Sequence, residues 1–508
     1  MARKKAADAG LEDEGGVLDF AQAAALLGIS RSTLSRMVKQ GRVRGFKVGR
    51  QWRFRRSDLD KFTKMSHPSA ASVNVTEVLK VLSGMGARVT TAPVGTGDRL
   101  SIEPRLPDYP ATEEEKAIEQ VFRTVLASAL RARATDIHIE PAHDATLVRQ
   151  RIDGVLHEML RLPRSAHSAL AACIKAHARL QVDQQNIPQD GRFHLDFEGA
   201  PYAVRIGIVP STYGESVTMR LLARTGAIAP LDQLGMGPED LARYQRALSA
   251  PVGLLLVTGP TGSGRTTTLY AGLQQVASPQ IKTLTVEDPV EYTFPYVTSV
   301  PVNVKAGVTF EHALRALMRQ DPDVVLLGEI RTLEAAEICT QIALTGHLAM
   351  STLHARTAAG AIARLTEMGV EPFITAESLL CVVAMRLARR VCPKCAAADN
   401  PSFTVLSRFA ERARAGGYEL PDGVEFKRGK GCDNCRQTGY RGRIGVFEVL
   451  QIDSDLARMI ADRASAGAIE EAAVKKGLTT LAADGLRKAV EGITSVTEAM
   501  RVTAESWG

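Results

Sequence analysis

No stretch of this chain is apolar for long enough to cross a bilayer. Its first residues, Met1 to Gly16, are charged and lack the apolar core of a signal peptide. These absences argue against a spanning or exported protein and for a cytoplasmic one, which would reach a membrane only by docking on it. Cysteine is scarce: seven residues, an odd number, cannot make a disulfide scaffold for 508 residues. No internal repeat is present, so a solenoid or propeller is not expected. What remains is a chain of 45% hydrophobic and 23% charged residues, the profile of a soluble globular protein too long for a single core.

The net charge of +7 is unevenly placed. Between Arg31 and Lys64 stand twelve Lys and Arg residues against two acids, Asp58 and Asp60, which points to a nucleic-acid partner. Residues 1–16 read as disordered and 17–64 as a small helical unit. Residues 65–110 carry Ser, Pro and Gly clusters and read as a linker. From 111 to 230, helical spacing followed by short strands predicts an α+β lobe. From 231 to 390, apolar strands alternate with helices, which predicts a parallel α/β sheet of RecA-like type. Residues 391–445 contain two cysteine pairs, and 446–508 read as helical. The fold class expected is multidomain α/β.

The most specific segment follows the apolar strand Leu254-Leu255-Leu256-Val257. It reads Gly259-Pro260-Thr261-Gly262-Ser263-Gly264-Arg265-Thr266, and a helical run starting at Thr267 comes next. Strand, glycine loop and helix are the context in which backbone N–H groups converge on phosphate oxygens, with the helix N-terminus adding positive potential. Thr266 stands where a hydroxyl would hold Mg²⁺ beside ATP. Arg265 stands where the pattern calls for lysine. Arginine keeps the charge but is larger, planar and forked, so nucleotide binding is expected to survive better than the rate of hydrolysis.

Two further strands end in acids, Thr283 to Val286 before Glu287 and Val324 to Leu327 before Glu329. At the C-terminal ends of parallel strands both carboxylates would face the ligand crevice. One could orient the attacking water and the other act on Mg²⁺. His354 ends a later apolar segment and could sense the γ-phosphate; a structural hydrogen bond is the plainer alternative.

These four segments resemble, in order, the Walker A loop, acidic box (VEDPVE), Walker B (MRQDPDVVLLGEIR) and histidine box (TGHLAMSTLH) of the type II secretion and type IV pilus assembly ATPases. Upstream, Thr135 to Pro141, Arg151-Ile152-Asp153-Gly154, Pro188 to Arg192 and Tyr213-Gly214-Glu215 are similar to the same family. The resemblance runs from about residue 111 to the C-terminus. It implies a hexameric ring of two-lobed protomers that works at an inner-membrane platform protein. It also implies that Glu287 is the catalytic acid, that Glu329 is the Walker B acid, and that Arg205 and Arg220 close onto the γ-phosphate. The chain departs from the pattern at Arg265, at Thr332, where Asp is usual, and at Ala355-Arg356-Thr357, where Thr-Asn-Asp is usual. These changes surround the nucleotide and point to a slow, retuned or inactive motor.

Cys392, Cys395, Cys432 and Cys435 form two CxxC pairs, with residues 396–431 between them. Four thiolates suit tetrahedral Zn²⁺ in a closed structural site, and a redox dithiol pair is the alternative. Cys173, Cys339 and Cys381 lie in apolar helical patterns and are expected in the core. The basic unit at 17–64 resembles the excisionase and MerR-like winged helix-turn-helix family. Arg31, Thr33, Ser35 and Arg36 would enter the major groove of duplex DNA, while Lys47, Arg50 and Arg53 on a two-stranded wing would meet phosphates. Docking to a protein is the alternative use of that fold. The expected function is an ATP-driven secretion or pilus-assembly motor. Its rival is a nucleotide-gated DNA-binding regulator with weak or no ATPase activity.

Overall fold

The computed structural model describes residues 17–26, 34, 38, 45–48, 51–55, 100–103, 112–223 and 228–504. In the N-terminal unit, helix Phe20–Leu26 packs on the strands Phe46–Val48 and Gln51–Arg55. The expected two-stranded wing gains a third strand, Val17–Leu18, paired to Arg55 and Phe54. Phe54 is wholly buried there, and Phe20 meets it edge to face. Arg31, Thr33, Ser35, Arg36 and Arg50 lie outside the described residues. Lys47 is on an exposed strand with its ammonium over the Trp52 ring, and Arg53 bonds the Trp52 carbonyl.

The first lobe is a seven-stranded antiparallel sheet. Its strands run in the order Leu100–Glu103, Gln189–Phe197, Ala200–Ser211, Gly214–Ala223, Ala134–Pro141, Ala145–Ile152 and Val155–Pro163. The first of these lies within the stretch expected as a linker, and at residues 100–103 the chain is instead an edge strand of the lobe. Leu100 and Ile102 alternate inward with period two and pair with Phe197 and Leu195. Helix Glu113–Arg131 starts at a capping box in which Thr112 and Glu115 satisfy each other's backbone N–H groups. With helix Ala166–His177 it covers the sheet, burying Val121, Phe122, Leu170 and Phe193.

The second lobe has a seven-stranded sheet in the order Val297–Pro301, Thr283–Glu287, Val324–Leu327, Leu348–Leu353, Gly253–Thr258, Leu379–Val391 and Tyr440–Gln451. All neighbours are parallel except the last pair. The strand Gly253–Thr258 is buried at every position, as a central parallel strand with both faces covered must be. Tyr440–Gln451 is one strand of this sheet, although the sequence divides there between the cysteine module and the terminal region. The helices that follow it continue the same core through Leu456, Ile460, Ile469, Leu481 and Val502. Glu448 on that strand accepts hydrogen bonds from the first-turn amides Ala358 N and Leu481 N, so one carboxylate caps two helices.

Candidate functional site

At the end of strand Gly253–Thr258 the chain turns through Gly259, Gly262 and Gly264, all at positive φ. A Cβ on Gly259 would sit 2.6 Å from the Met385 carbonyl oxygen, so only glycine fits there. Helix Arg265–Val276 begins directly after Gly264 and has no side-chain cap, which leaves its first amides for a ligand. The Ser263 hydroxyl is buried without a hydrogen-bond partner in the loop. This unsatisfied group and the uncapped amides fit a phosphate. Pro260 and Thr261 form the turn that Ser263 N closes on the Pro260 carbonyl, and Thr267 is exposed on the first helical turn.

One cleft beside this loop is lined by Arg265, Thr266, Tyr270, Glu287, Glu291 and Glu329, among others. Arg265 turns its guanidinium toward the Leu353 carbonyl oxygen, with Nη1 at 3.4 Å, and feels the Glu329 charge. Glu287 ends its strand 4% exposed. Its carboxylate accepts hydrogen bonds from the Tyr270 hydroxyl and, at 2.7 Å, from Thr285 Oγ1. Burial raises the Glu287 pKa despite these bonds, and burial raises that of Glu291 as well. Glu329 pairs with Arg331 and lies 3.7 Å from His354 Nε2. Burial, and then the Arg265 charge, hold the His354 imidazole below its usual pKa, so it is neutral at neutral pH. Thr266 and Glu329, a hydroxyl and a carboxylate on one cleft, are the donor set that Mg²⁺ with a nucleotide phosphate prefers.

The charges of Arg220 and Arg205 of the first lobe reach Glu291 and oppose the rise that burial gives its pKa. These arginines are direct partners on adjacent strands. Arg220 Nε also donates to Asp136 at 2.9 Å. The structure therefore places Glu287, Glu329, Arg265 and Thr266 on one cleft, sets His354 beside Glu329, and brings the charges of Arg205 and Arg220 to bear on Glu291. Tyr270 and Glu291 had no role in the sequence reading. Tyr270 follows Thr266 by four residues on a helix, the spacing that puts both on one face.

Two departures from the family pattern have a local explanation. Thr332 caps helix Leu333–Leu344 by accepting from Ala335 N, and Thr357 caps helix Ala358–Met368 by accepting from Gly360 N. Threonine replaces aspartate at each cap without losing the hydrogen bond.

The cysteines converge. Sγ atoms of Cys392 and Cys432 are 3.9 Å apart, those of Cys395 and Cys435 3.7 Å, and those of Cys432 and Cys435 3.7 Å. A tetrahedron with Zn–S bonds of about 2.3 Å has sulfur–sulfur edges of about 3.8 Å, so the set fits zinc. Amides of Cys432 and Gly439 donate to Cys435 Sγ, and the Asn434 amide donates to Cys392 Sγ, as thiolates require. Residues 396–431 hold a two-stranded pair, Ala396–Asp399 with Phe426–Gly429, and helix Phe403–Ala415. This insertion accounts for the wide cysteine spacing. Cys173, Cys339 and Cys381 are buried.

A glycine loop between a central parallel strand and a helix, with acids at two further strand ends, defines a P-loop nucleotide-binding protein of the ATPase class. Residues 111–501 match the family described as Type II/IV secretion system protein, and the chain belongs to that family. Residues 17–65 match a helix-turn-helix domain. The type II secretion system ATPase E of Vibrio cholerae is 41% identical over 412 residues, covering 80% of each chain. The type IV pilus assembly ATPase PilB of Thermus thermophilus is 40% identical over 78% of this chain and 44% of its own. Among solved structures, the Legionella pneumophila ATPase DotB matches with a TM-score of 0.56 at 18% identity, over 76% of this chain and 96% of its own. The pilus retraction motor PilT with bound ADP matches with a TM-score of 0.51 at 22% identity, over 74% of this chain and 95% of its own. These likenesses show an α/β ATPase fold. Among the described residues no helix is long and apolar enough to cross a membrane.

Proposed function

We propose that the protein is an ATP-binding and ATP-hydrolysing motor of a type II secretion or type IV pilus-like assembly system. It works as a hexamer on the cytoplasmic face of the inner membrane against a platform protein. The observation that carries this reading is the single cleft at the end of the glycine loop that Arg265, Thr266, Glu287 and Glu329 line, with the charges of Arg205 and Arg220 of the other lobe acting on its Glu291. The loop amides bind the phosphates, with Arg265 held beside them on the Leu353 carbonyl. Thr266 and Glu329 hold Mg²⁺, which neutralises phosphate charge when bound. Glu287, released from Tyr270, orients the attacking water. The arginines stabilise the charge that develops when the lobes close, and closure is the stroke passed to the platform. Zn²⁺ in the four cysteines clips the inserted subdomain to the second lobe.

Steady-state ATP turnover of the assembled full chain with Mg²⁺ tests the reading. Wild type should turn over, and Glu287→Gln should lose about a hundredfold or more. Wild-type turnover at background would sink it. A second reading is favoured by Arg265 together with the basic N-terminal unit: a nucleotide-gated regulator that binds duplex DNA. It requires salt-dependent duplex binding that responds to nucleotide, and it fails if removing residues 1–65 leaves DNA affinity unchanged.

A further inference from the structure

The register of the first lobe sets three arginines side by side. Arg192 on strand Gln189–Phe197 is the direct partner of Arg205, and Arg205 is the direct partner of Arg220. Direct partners in an antiparallel sheet point to the same face, and strands lie about 4.8 Å apart, so three guanidiniums rise from a strip about 10 Å wide. All three residues are exposed. Like charges directly opposite one another destabilise a sheet. The row continues to Asp136 and Arg151, but that carboxylate is already shared between Arg220, at 2.9 Å, and Arg151, at 3.8 Å. Among the described residues neither Arg192 nor Arg205 forms an ion pair, and Asp190, on the face of Arg192 two residues earlier, is not paired with it. The row thus carries more positive charge than its own lobe neutralises, and the charges of Arg220 and Arg205 reach Glu291 in the nucleotide cleft.

We propose that Arg192 is a third phosphate-binding arginine of this site. With Arg205 and Arg220 it receives the γ-phosphate when the lobes close, as the outermost member of the row. The inference rests on the reading of Arg205 and Arg220 given above. A γ-phosphate supplies the anionic oxygens that the row lacks, and three forked donors can share them.

The test measures dissociation constants of ADP and ATPγS with Mg²⁺ by calorimetry, on the assembled full chain, for wild type, Arg192→Ala, Arg192→Lys and Arg205→Ala. Arg192→Ala should weaken ATPγS about tenfold while leaving ADP within about twofold, the loss expected for one charge-assisted contact. Arg192→Lys should recover part of the loss, since it restores charge without the fork. Two results overturn the proposal for Arg192 alone: a normal ATPγS preference in Arg192→Ala while Arg205→Ala loses it, or equal weakening of both nucleotides, which marks a structural role or a contact between subunits. If Arg205→Ala also keeps the wild-type preference, the whole row is excluded as a phosphate site, Arg192 with it.

Discussion

Arg265 occupies the lysine position of the phosphate loop and spends its guanidinium on the Leu353 carbonyl oxygen, on the strand that leads to His354. A lysine ammonium is compact and would be free to follow the phosphates. Arg265→Lys should therefore raise ATP turnover about tenfold, about 1.4 kcal/mol off the barrier, measured as kcat at saturating ATP. An unchanged or lower kcat contradicts the reading of Arg265 as a brake. Glu448 makes a second prediction at this scale. Burial pushes its pKa up to about 7 from 4.5, against the two helix amides it caps. The fold thus favours the protonated form. The stability this adds is full below pH 4.5 and is lost as pH rises through about 7, a change of about 3 kcal/mol. Denaturation midpoints across that window should fall with rising pH in wild type and stay flatter in Glu448→Gln. The phosphate loop was readable in the sequence because its residues are contiguous and each does its work through backbone geometry. Tyr270 and Glu291 were not, because their roles exist only where the loop helix, the acidic segment and the other lobe's arginines meet.

Helix caps and the metal module belong to the scale of elements. Thr332→Ala and Thr357→Ala should each cost about 1 kcal/mol in stability, while the Asp variants hold it, read by thermal or chemical denaturation. Turnover in Thr332→Asp should match wild type, since the cap hydrogen bond is kept. On the proposed zinc site, elemental analysis should find one zinc per chain in wild type and none in Cys432→Ser. The four sulfurs define one tetrahedral site, and three of them cannot close it. The CxxC pairs were plain in the sequence as ligand types. The long separation was not interpretable there, because nothing local shows that residues 396–431 fold back as a paired strand and helix. The strand Leu100–Glu103 escaped notice for a similar reason. Four alternating residues are too short a signal, and their pairing partner lies some ninety residues onward, at His194 to Phe197.

At the scale of the molecule, the N-terminal unit and the two lobes invite separation. Removal of residues 1–65 should leave ATP turnover within about twofold, and on the proposed DNA-binding reading it should abolish salt-dependent duplex binding, because phosphate contacts of that kind come from clustered cations. The first lobe also touches the second away from the nucleotide. Asp153, at the tip of a hairpin, accepts from Gly442 N at 2.9 Å, and Arg443 Nε lies 3.8 Å from it. Gly442 and Arg443 belong to the strand paired along Leu379–Val391. That long strand bears on the phosphate loop in its middle, where the Met385 carbonyl limits Gly259, and Cys392, the first thiolate, follows its last residue. The span from Met385 to Cys392 is about 23 Å of extended backbone. Met385 under the phosphate loop and Cys392 at the cysteine cluster are thus the two ends of one extended rod, and a disturbance at the cysteines has a direct backbone route to Gly259.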